Sequence, residues 1–248
     1  MRIVAIIPSR YGSSRFPGKP LASIAGRPMI EHVYRRVSSC EGISGVFAAT
    51  DDERILACVE GFGGKAVMTR GTHASGTDRI AECAARLDLD DTDVVVNVQG
   101  DQPLVDPAVL AEMVEPLIRD ESLPMSTLMV RIHDPGVLSN PNHVKVVCDA
   151  RGFALYFSRH PIPFCRDARS DGVHHKHLGL YAYRTAFLKT FTGLPEGRLE
   201  RAEKLEQLRA LEHGYRIRVV ETVHDSPEVD APEDVARVES MMALTQPP

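Results

Sequence analysis

Apolar runs alternate with helical segments through the first half of this 248-residue chain. Ile3–Pro8 and Val94–Val98 are continuous apolar runs, typical of strands that are buried on both faces of a sheet. Strands are also predicted at 46–50 and 65–68, and helices at 28–39, 52–59, 75–87 and 107–118. This order predicts an α/β fold with a mostly parallel, doubly wound sheet that carries helices on both faces.

The second half of the chain is less regular. Strands are predicted at 125–132, 143–148, 154–157 and 177–183, with few helices between them, followed by a charged helix at 199–213, a strand at 217–223 and a closing helix at 232–243. This pattern predicts a smaller, mixed α+β lobe. We therefore expect one domain over 1–244, with its core at about 1–125 and 215–244 and the lobe at about 126–214.

Composition and charge exclude several classes of protein. The formal net charge is -5, which argues against a protein that coats nucleic acid. The five cysteines are odd in number and have no C-x-x-C spacing, so neither a disulfide framework nor a thiolate zinc site is indicated. No apolar segment is long enough to cross a membrane. We expect a cytoplasmic protein that binds neither nucleic acid nor membranes.

Two glycine-containing segments resemble nucleotide-binding motifs, but the neighbouring sequence excludes both. Gly61–Ala66 fits the loose dinucleotide pattern G-x-G-x-x-A, but it follows a predicted helix and precedes a strand, which is the wrong order. It is interpreted as the end of a helix followed by a turn. The Gly18-Lys19 pair resembles part of a P-loop, but Pro20 stands where a metal-binding Ser or Thr is needed.

The loop after the first strand concentrates positive charge. Arg10, Arg15 and Lys19 lie within ten residues and are interleaved with glycines and serines. The loop follows the carboxyl end of a strand in an open α/β sheet, where such sheets bind ligands. Backbone N–H groups and fixed cations suit a polyphosphate. The alternative is a mobile surface loop with incidental charge.

Two aspartates complete the pattern. Asp101 follows the buried strand Val94–Val98, and Asp230 precedes a predicted helix. Either could hold Mg²⁺ on a bound phosphate, although Asp101 could also start a turn and Asp230 could cap the helix. Acidic residues at strand or loop ends, combined with a cationic glycine loop, describe a nucleotidyltransferase site.

Several blocks together resemble one family. The loop Pro8–Leu21 is similar to the signature loop of the sugar-acid cytidylyltransferases. Six later blocks narrow the resemblance to the 3-deoxy-manno-octulosonate (Kdo) cytidylyltransferases, also called CMP-Kdo synthetases. These blocks are His73–Arg79, Asn97–Asp101, Ala154–Arg159, His177–Tyr181, Leu205–Arg209 and Val229–Asp234.

The resemblance implies an activity and a mode of assembly. Members of this family transfer CMP from CTP to the anomeric hydroxyl of Kdo and release pyrophosphate, which activates the sugar for lipopolysaccharide synthesis. They are Mg²⁺-dependent homodimers with a nucleotide-binding core and a sugar-binding and dimerisation lobe. In-line attack of the sugar oxygen on the α-phosphorus is expected, and no side chain stands out as a general base.

The resemblance also implies roles for individual residues. Arg10, Lys19 and Asp101 would be catalytic, and Asp101 and Asp230 would bind the metal. Alternatives remain for two members of the sugar group, because Tyr181 could belong to the core and Glu206 to a solvated or dimer-forming helix face. The nucleotide group is Arg10, Ser13, Arg15, Lys19, Ser75, Gly76 and Arg79, and the sugar group is Gln99, Arg159, His177, Tyr181, Glu206 and Gln207.

Three other functions stay open at this point. The acceptor could be a related sugar acid, such as 8-amino-Kdo or a sialic acid. The chain could be a non-catalytic nucleotide-binding protein, although the presence of both Asp101 and Asp230 speaks against that. A purine nucleotidyltransferase would share the glycine loop, but the blocks around Arg159, His177 and Leu205–Gln207 favour CTP.

Overall fold

The fold is described from a computed structural model, which covers residues 1–12, 16–167 and 173–245. It divides into two compact units, Met1–Ala111 with Ser226–Pro248 (unit 1) and Glu112–Asp225 (unit 2). Within the described residues, no helix combines the length and apolar character that crossing a bilayer requires.

The secondary-structure elements follow one another in the following order. The strands are β1 (Ile3–Ser9), β2 (Ser23–Ile24), β3 (Arg27–Pro28), β4 (Gly45–Thr50), β5 (Ala66–Met68), β6 (Val94–Asn97), β7 (Met125–Arg131), β8 (Lys145–Cys148), β9 (Ala154–Ser158), β10 (His175–Arg184) and β11 (Ile217–Thr222). The helices are α1 (Met29–Ser38), α2 (Glu53–Gly61), α3 (Gly76–Arg86), α4 (Pro107–Arg119), α5 (Pro135–Ser139), α6 (Thr185–Gly193), α7 (Arg198–Glu203), α8 (Leu208–Glu212) and α9 (Asp234–Thr245).

Unit 1 contains a parallel sheet with the strand order β6-β1-β4-β5. Ile6, on β1, pairs with Phe47 on one side and with Asn97 on the other. The four residues of β6 are all buried, as the apolar run predicts. The expected parallel α/β sheet is confirmed.

Helices α2 and α3 of unit 1 begin at capping side chains, and α2 ends in a glycine turn. Asp52 caps α2 by accepting a hydrogen bond from the Arg54 N–H. Ser75 and Asp78 form a capping box at the start of α3, as their spacing predicts. The end of α2 is followed by Gly63 at φ 82°, so the Gly61–Ala66 motif is a helix end and turn.

Unit 2 contains a mixed sheet. Strand β11 pairs in parallel with β7, whereas β7 with β10, β10 with β8, and β8 with β9 are antiparallel pairs. Strand β11 lies in unit 2, where it pairs with β7. The division into a core and a smaller mixed lobe at about 126–214 stays a prediction.

The prediction of a single helix over 199–213 is wrong. The structure has two short helices there, α7 and α8, because Lys204 adopts a left-handed conformation (φ 54°, ψ 48°) that ends α7. Arg209, on α8, binds Glu200, on α7, at 2.6 Å, so an ion pair holds the two helices together. Helix α6 was not predicted, since its apolar and Thr-rich sequence resembles the neighbouring strands.

Candidate active site

A cavity of about 250 Å³ opens at the carboxyl ends of β1 and β6 in unit 1. These strand ends lead directly into its walls, as expected for ligand sites in open α/β sheets. Most of its surface is polar. Its lining residues are Pro8, Ser9, Arg10, Lys19, Pro20, His73, Ala74, Ser75, Gly76, Arg79, Gln99, Gly100, Asp101 and Asp230.

Lys19 connects three segments of this cavity. Its Nζ donates to Asp101 Oδ2 at 2.7 Å and to the carbonyl oxygen of Val229 at 3.0 Å. The Val229 N–H in turn donates to the Asp101 carbonyl oxygen at 2.9 Å. The chain near Asp230 is thereby held beside the loop after β6, so residues more than 200 positions apart reach one cavity.

The two arginines in the cavity wall differ in their surroundings. Arg10 is exposed at the end of β1, where its guanidinium is accessible to an anion. Arg79 is buried, and its guanidinium donates to Asp51 at 3.0 Å and to Thr69 Oγ1 at 2.6 Å. Arg79 therefore supports the wall, and much of its hydrogen-bonding capacity is used inside the protein.

The start of α3 forms another wall. The Ser75 hydroxyl accepts the Asp78 N–H at 3.1 Å, so the capping box uses this side chain. Gly76 packs against β1, since a Cβ there would lie 3.4 Å from the Pro8 side chain. Gly100 lies closer still to β1, because a Cβ at this position would lie 3.1 Å from Ser9 Oγ. Small residues at these points keep the wall close to β1.

A carboxylate behind this wall holds the 70–73 segment. Glu82 accepts from the Arg70 N–H at 3.0 Å, contacts His73 Nε2, and binds Arg86 at 2.7 Å. Burial raises the pKa of Glu82, but these hydrogen bonds outweigh burial and lower its pKa to about 2. Glu82 is therefore ionised at neutral pH. Neither Glu82 nor His73 was predicted as a site residue from the sequence, although His73 opens one of the quoted blocks.

The donor set suits a magnesium ion. Asp101 and Asp230 line the same cavity, and the Asp101 side chain is 26% exposed. Mg²⁺ is commonly held by one or two carboxylates together with substrate phosphates and water. Two carboxylates in a cavity that is also lined by Arg10 and Lys19 match this pattern.

The structure thus brings together most of the predicted nucleotide and metal residues. Two of them, Ser13 and Arg15, lie outside the described residues. The members that line the cavity are Arg10, Lys19, Ser75, Gly76, Arg79, Asp101 and Asp230, along with Gln99 from the predicted sugar group.

His177 lies in the interior of unit 2. It is 8% exposed, its Nε2 lies 2.9 Å from Thr127 Oγ1, and its ring contacts Phe157 and Tyr181 with centroids 4.9 and 5.5 Å away. Burial lowers the pKa of His177 to about 3. The ring is therefore neutral at physiological pH. Tyr181 also stacks on Tyr183 at 5.7 Å, so it belongs to an aromatic row on β10.

Arg159 follows β9 in unit 2. Its guanidinium donates to the carbonyl oxygens of Glu203, Pro141 and Lys204, at 2.7, 3.0 and 3.3 Å. These bonds use three of its five N–H groups. They fix the direction of the side chain and leave two donors for a ligand.

The remaining sugar candidates lie near α8. Gln207 is 5% exposed and occupies the N-cap position of α8. Glu206 precedes it and lies 3.8 Å from Arg209. The side chain of Glu206 is only 29% exposed, so this residue is not on a fully solvated helix face.

The fold and the cavity define a class of protein. An open parallel α/β sheet with a cavity at its strand ends, lined by cations, glycines and two carboxylates, suits an enzyme that binds nucleoside triphosphates. The family model described as cytidylyltransferase matches residues 4–217. The chain therefore belongs to the cytidylyltransferase family.

Relatives named for two different sugar acids match this chain over nearly its whole length. A 3-deoxy-manno-octulosonate cytidylyltransferase of Syntrophus aciditrophicus (strain SB) is 60% identical over 97% of this chain and 97% of its own length. An 8-amino-3,8-dideoxy-manno-octulosonate cytidylyltransferase of Shewanella halifaxensis (strain HAW-EB4) is 54% identical over 98% of this chain and 100% of its own length.

Solved structures agree with the fold. A CMP:2-keto-3-deoxy-manno-octonic acid synthetase complexed with CTP matches with a TM-score of 0.94 at 43% identity, covering 99% of this chain and 100% of that chain. A cytidylyltransferase from Leptospira borgpetersenii has a TM-score of 0.65 at 17% identity, covering 100% of this chain and 89% of its own, and it supports the fold alone.

Proposed function

We propose that this chain transfers CMP from CTP to the anomeric hydroxyl of Kdo, giving CMP-Kdo and pyrophosphate for lipopolysaccharide synthesis. The observation that carries the proposal is the convergence of Arg10, Lys19, Asp101 and Asp230 on one cavity. That convergence occurs in a chain that is 60% identical, over 97% of its length, to a relative named 3-deoxy-manno-octulosonate cytidylyltransferase.

The charges of the cavity suit the two reactants. CTP and a sugar carboxylate are both anions, so their approach requires positive charge. Arg10 and Lys19 would bind the triphosphate and stabilise the negative charge that develops on the departing pyrophosphate. The new bond joins the sugar C2 oxygen to the α-phosphorus, the bond from that phosphorus to the bridging oxygen breaks, and the hydroxyl proton is lost to solvent or substrate.

Asp101 and Asp230 would hold Mg²⁺. The ion would supply charge neutralisation on the phosphates and a lowered pKa of a bound hydroxyl group. In this arrangement the Lys19 ammonium would leave the Asp101 carboxylate and bind a phosphate oxygen of the substrate.

The residues of unit 2 would bind the sugar acid. The two remaining N–H donors of Arg159 suit a carboxylate, whereas the neutral ring of His177 and the hydroxyl of Tyr181 suit sugar hydroxyl groups. Homodimer formation and a cytoplasmic location belong to the same proposal and rest on the family resemblance.

A second acceptor is supported by a specific observation. The Shewanella halifaxensis relative, named for 8-amino-3,8-dideoxy-manno-octulosonate, is nearly as similar to this chain as the relative named for Kdo. The two acceptors differ by one hydroxyl-to-amine exchange, which one or two side chains can discriminate.

One assay tests both acceptors. Pyrophosphate release is measured with CTP and Mg²⁺ while Kdo, 8-amino-Kdo and a sialic acid are offered in parallel, with ATP and GTP as nucleotide controls. Release with CTP and Kdo supports the proposal, and release with only another acceptor reassigns the substrate. Binding of CTP without turnover on all three acids would contradict a cytidylyltransferase acting on these sugars.

A further inference from the structure

His73 lies in the wall of the cavity and has no role in the reaction proposed above. Its side chain is 11% exposed, and it lines the same cavity as Arg10 and Lys19. Its Nε2 contacts Glu82 Oε2, which also accepts the Arg70 N–H. The imidazole is therefore held in one orientation by a carboxylate behind the wall.

The proton between His73 and Glu82 can be placed from chemistry. The hydrogen bonds to Glu82 keep its carboxyl ionised at neutral pH, and an ionised carboxylate can only accept hydrogen bonds. The hydrogen in this contact is therefore on His73 Nε2. In the neutral ring the other nitrogen, Nδ1, then carries a lone pair and acts as an acceptor.

That acceptor is left for a ligand. Nδ1 makes no hydrogen bond with any residue in the part of the chain that the structure describes. A phosphate group offers only acceptors at neutral pH, and the cavity already provides Arg10 and Lys19 for it. In the neutral ring Nδ1 therefore matches a hydroxyl or amino group rather than a phosphate oxygen, and the nucleoside part of a nucleotide carries both.

We propose that His73, oriented by Glu82, accepts a hydrogen bond from a donor group on the nucleoside of the bound triphosphate, either a ribose hydroxyl or the cytosine amino group. This inference rests on the proposed function, since it takes CTP as the ligand. It makes His73 a determinant of nucleotide specificity, and it makes Glu82 the residue that positions it.

The test measures nucleotide affinity, so that it does not depend on the sugar acceptor. Dissociation constants of CTP, UTP, 2′-deoxy-CTP and 3′-deoxy-CTP are measured by calorimetry with Mg²⁺ for the wild type and for His73→Phe. UTP lacks the amino group and each deoxynucleotide lacks one hydroxyl. The variant keeps an aromatic ring of similar size and removes both nitrogens.

The expected effect of His73→Phe is selective. His73→Phe weakens CTP binding about tenfold, as expected for the loss of one hydrogen bond. It leaves the affinity unchanged for the one analogue that lacks the contacted donor, and that analogue identifies the donor group. An unchanged affinity for CTP, or equal weakening of all four nucleotides, overturns the proposal.

Two further variants test whether Glu82 acts through the orientation of His73. Arg86→Gln removes a partner of the other Glu82 oxygen, Oε1, and should leave all four affinities unchanged. Glu82→Gln tests the orientation if His73→Phe does not fold, and it should reduce the same discrimination. A wild type that binds no CTP overturns both the inference and the proposed function. A wild type that binds CTP without turnover overturns only the proposed reaction.

Discussion

Lys19 Nζ lies 2.7 Å from Asp101 Oδ2, so a residue expected to bind phosphate and a residue expected to bind metal are bonded to each other. A phosphate would compete with Asp101 for the ammonium group, and a divalent cation would compete with Lys19 for the carboxylate. Binding of both together would exchange one ion pair for two, so neither Lys19 nor Asp101 would lose a partner of opposite charge.

Asp101→Asn tests this arrangement. An amide keeps the shape of the side chain but is a poor Mg²⁺ ligand and loses the ion pair with Lys19. We expect a folded protein whose turnover falls by about a hundredfold or more, in the range seen when one charged transition-state contact is removed. Pyrophosphate release at increasing Mg²⁺ concentration measures the effect.

Asp90→Asn is the matched control for that variant. The Asp90 side chain is 83% exposed and lies outside the cavity, so its turnover should equal that of the wild type. Wild-type turnover of Asp101→Asn at saturating Mg²⁺ would remove Asp101 from the metal site.

Gly18→Ala tests how the glycine loop is shaped. Gly18 has φ 72°, and a Cβ there would lie 3.1 Å from the Tyr11 ring. The Arg54 guanidinium lies 3.3 Å from the centroid of that ring, which limits its freedom to move. We expect a loss of about 1–3 kcal/mol in the free energy of unfolding and a higher KM for CTP, because the loop carries Lys19.

Thermal unfolding and nucleotide kinetics measure the Gly18→Ala effect. Gly193→Ala is its control, since a Cβ at Gly193 would have no neighbouring atom within 4 Å and this glycine has no positive φ. Equal melting temperatures for the two variants would show that the contact with Tyr11 does not constrain the loop.

The sequence predicted the elements whose signals are local. The apolar run at Val94–Val98 and the capping box of Ser75 with Asp78 each depend on neighbouring residues, and both are found. The break between α7 and α8 was missed, because nothing in the charged sequence there shows that Lys204 adopts a left-handed conformation.

The same distinction applies to the candidate site. Arg10 and Lys19 were identifiable because they share one loop with glycines. The Glu82 contact with His73 was missed, since a glutamate on an amphipathic helix resembles any solvated residue until its partners are known. Similarly, the burial of His177 depends on packing between strands, which its position in the sequence did not show.

His177 makes a pH-dependent contribution to stability. Its pKa is about 3 in the folded protein and about 6.5 in an unfolded chain. Between these values the unfolded chain binds a proton that the folded protein does not. The free energy of unfolding therefore falls as the pH falls below 6.5, by up to about 1.4 kcal/mol per pH unit.

His177→Phe should remove this part of the pH dependence. Phenylalanine does not titrate and keeps a ring against Phe157, at the cost of the Thr127 hydrogen bond. Urea unfolding at pH 4.5 and pH 7.5 measures the difference in stability, which should be smaller in this variant than in the wild type. The exposed His133 is the control, and His133→Gln should keep the wild-type difference. An unaltered difference in His177→Phe would show that His177 is not the titrating group.

Lys145→Met tests a buried ammonium group in unit 2. Lys145 is fully buried, and its Nζ donates to the carbonyl oxygens of Asn140, His143 and Arg159. Burial lowers the pKa of Lys145. Methionine fills a similar volume but leaves three carbonyl groups without this donor, so we expect a loss of about 2–4 kcal/mol in the free energy of unfolding.

The KM for the sugar acid should rise in Lys145→Met, because Lys145 holds the backbone at Arg159, whereas the KM for CTP should stay unchanged. Lys189→Met, at an exposed position, should alter neither quantity. A rise in both KM values, or a Lys145→Met protein as stable as the wild type, would contradict this role.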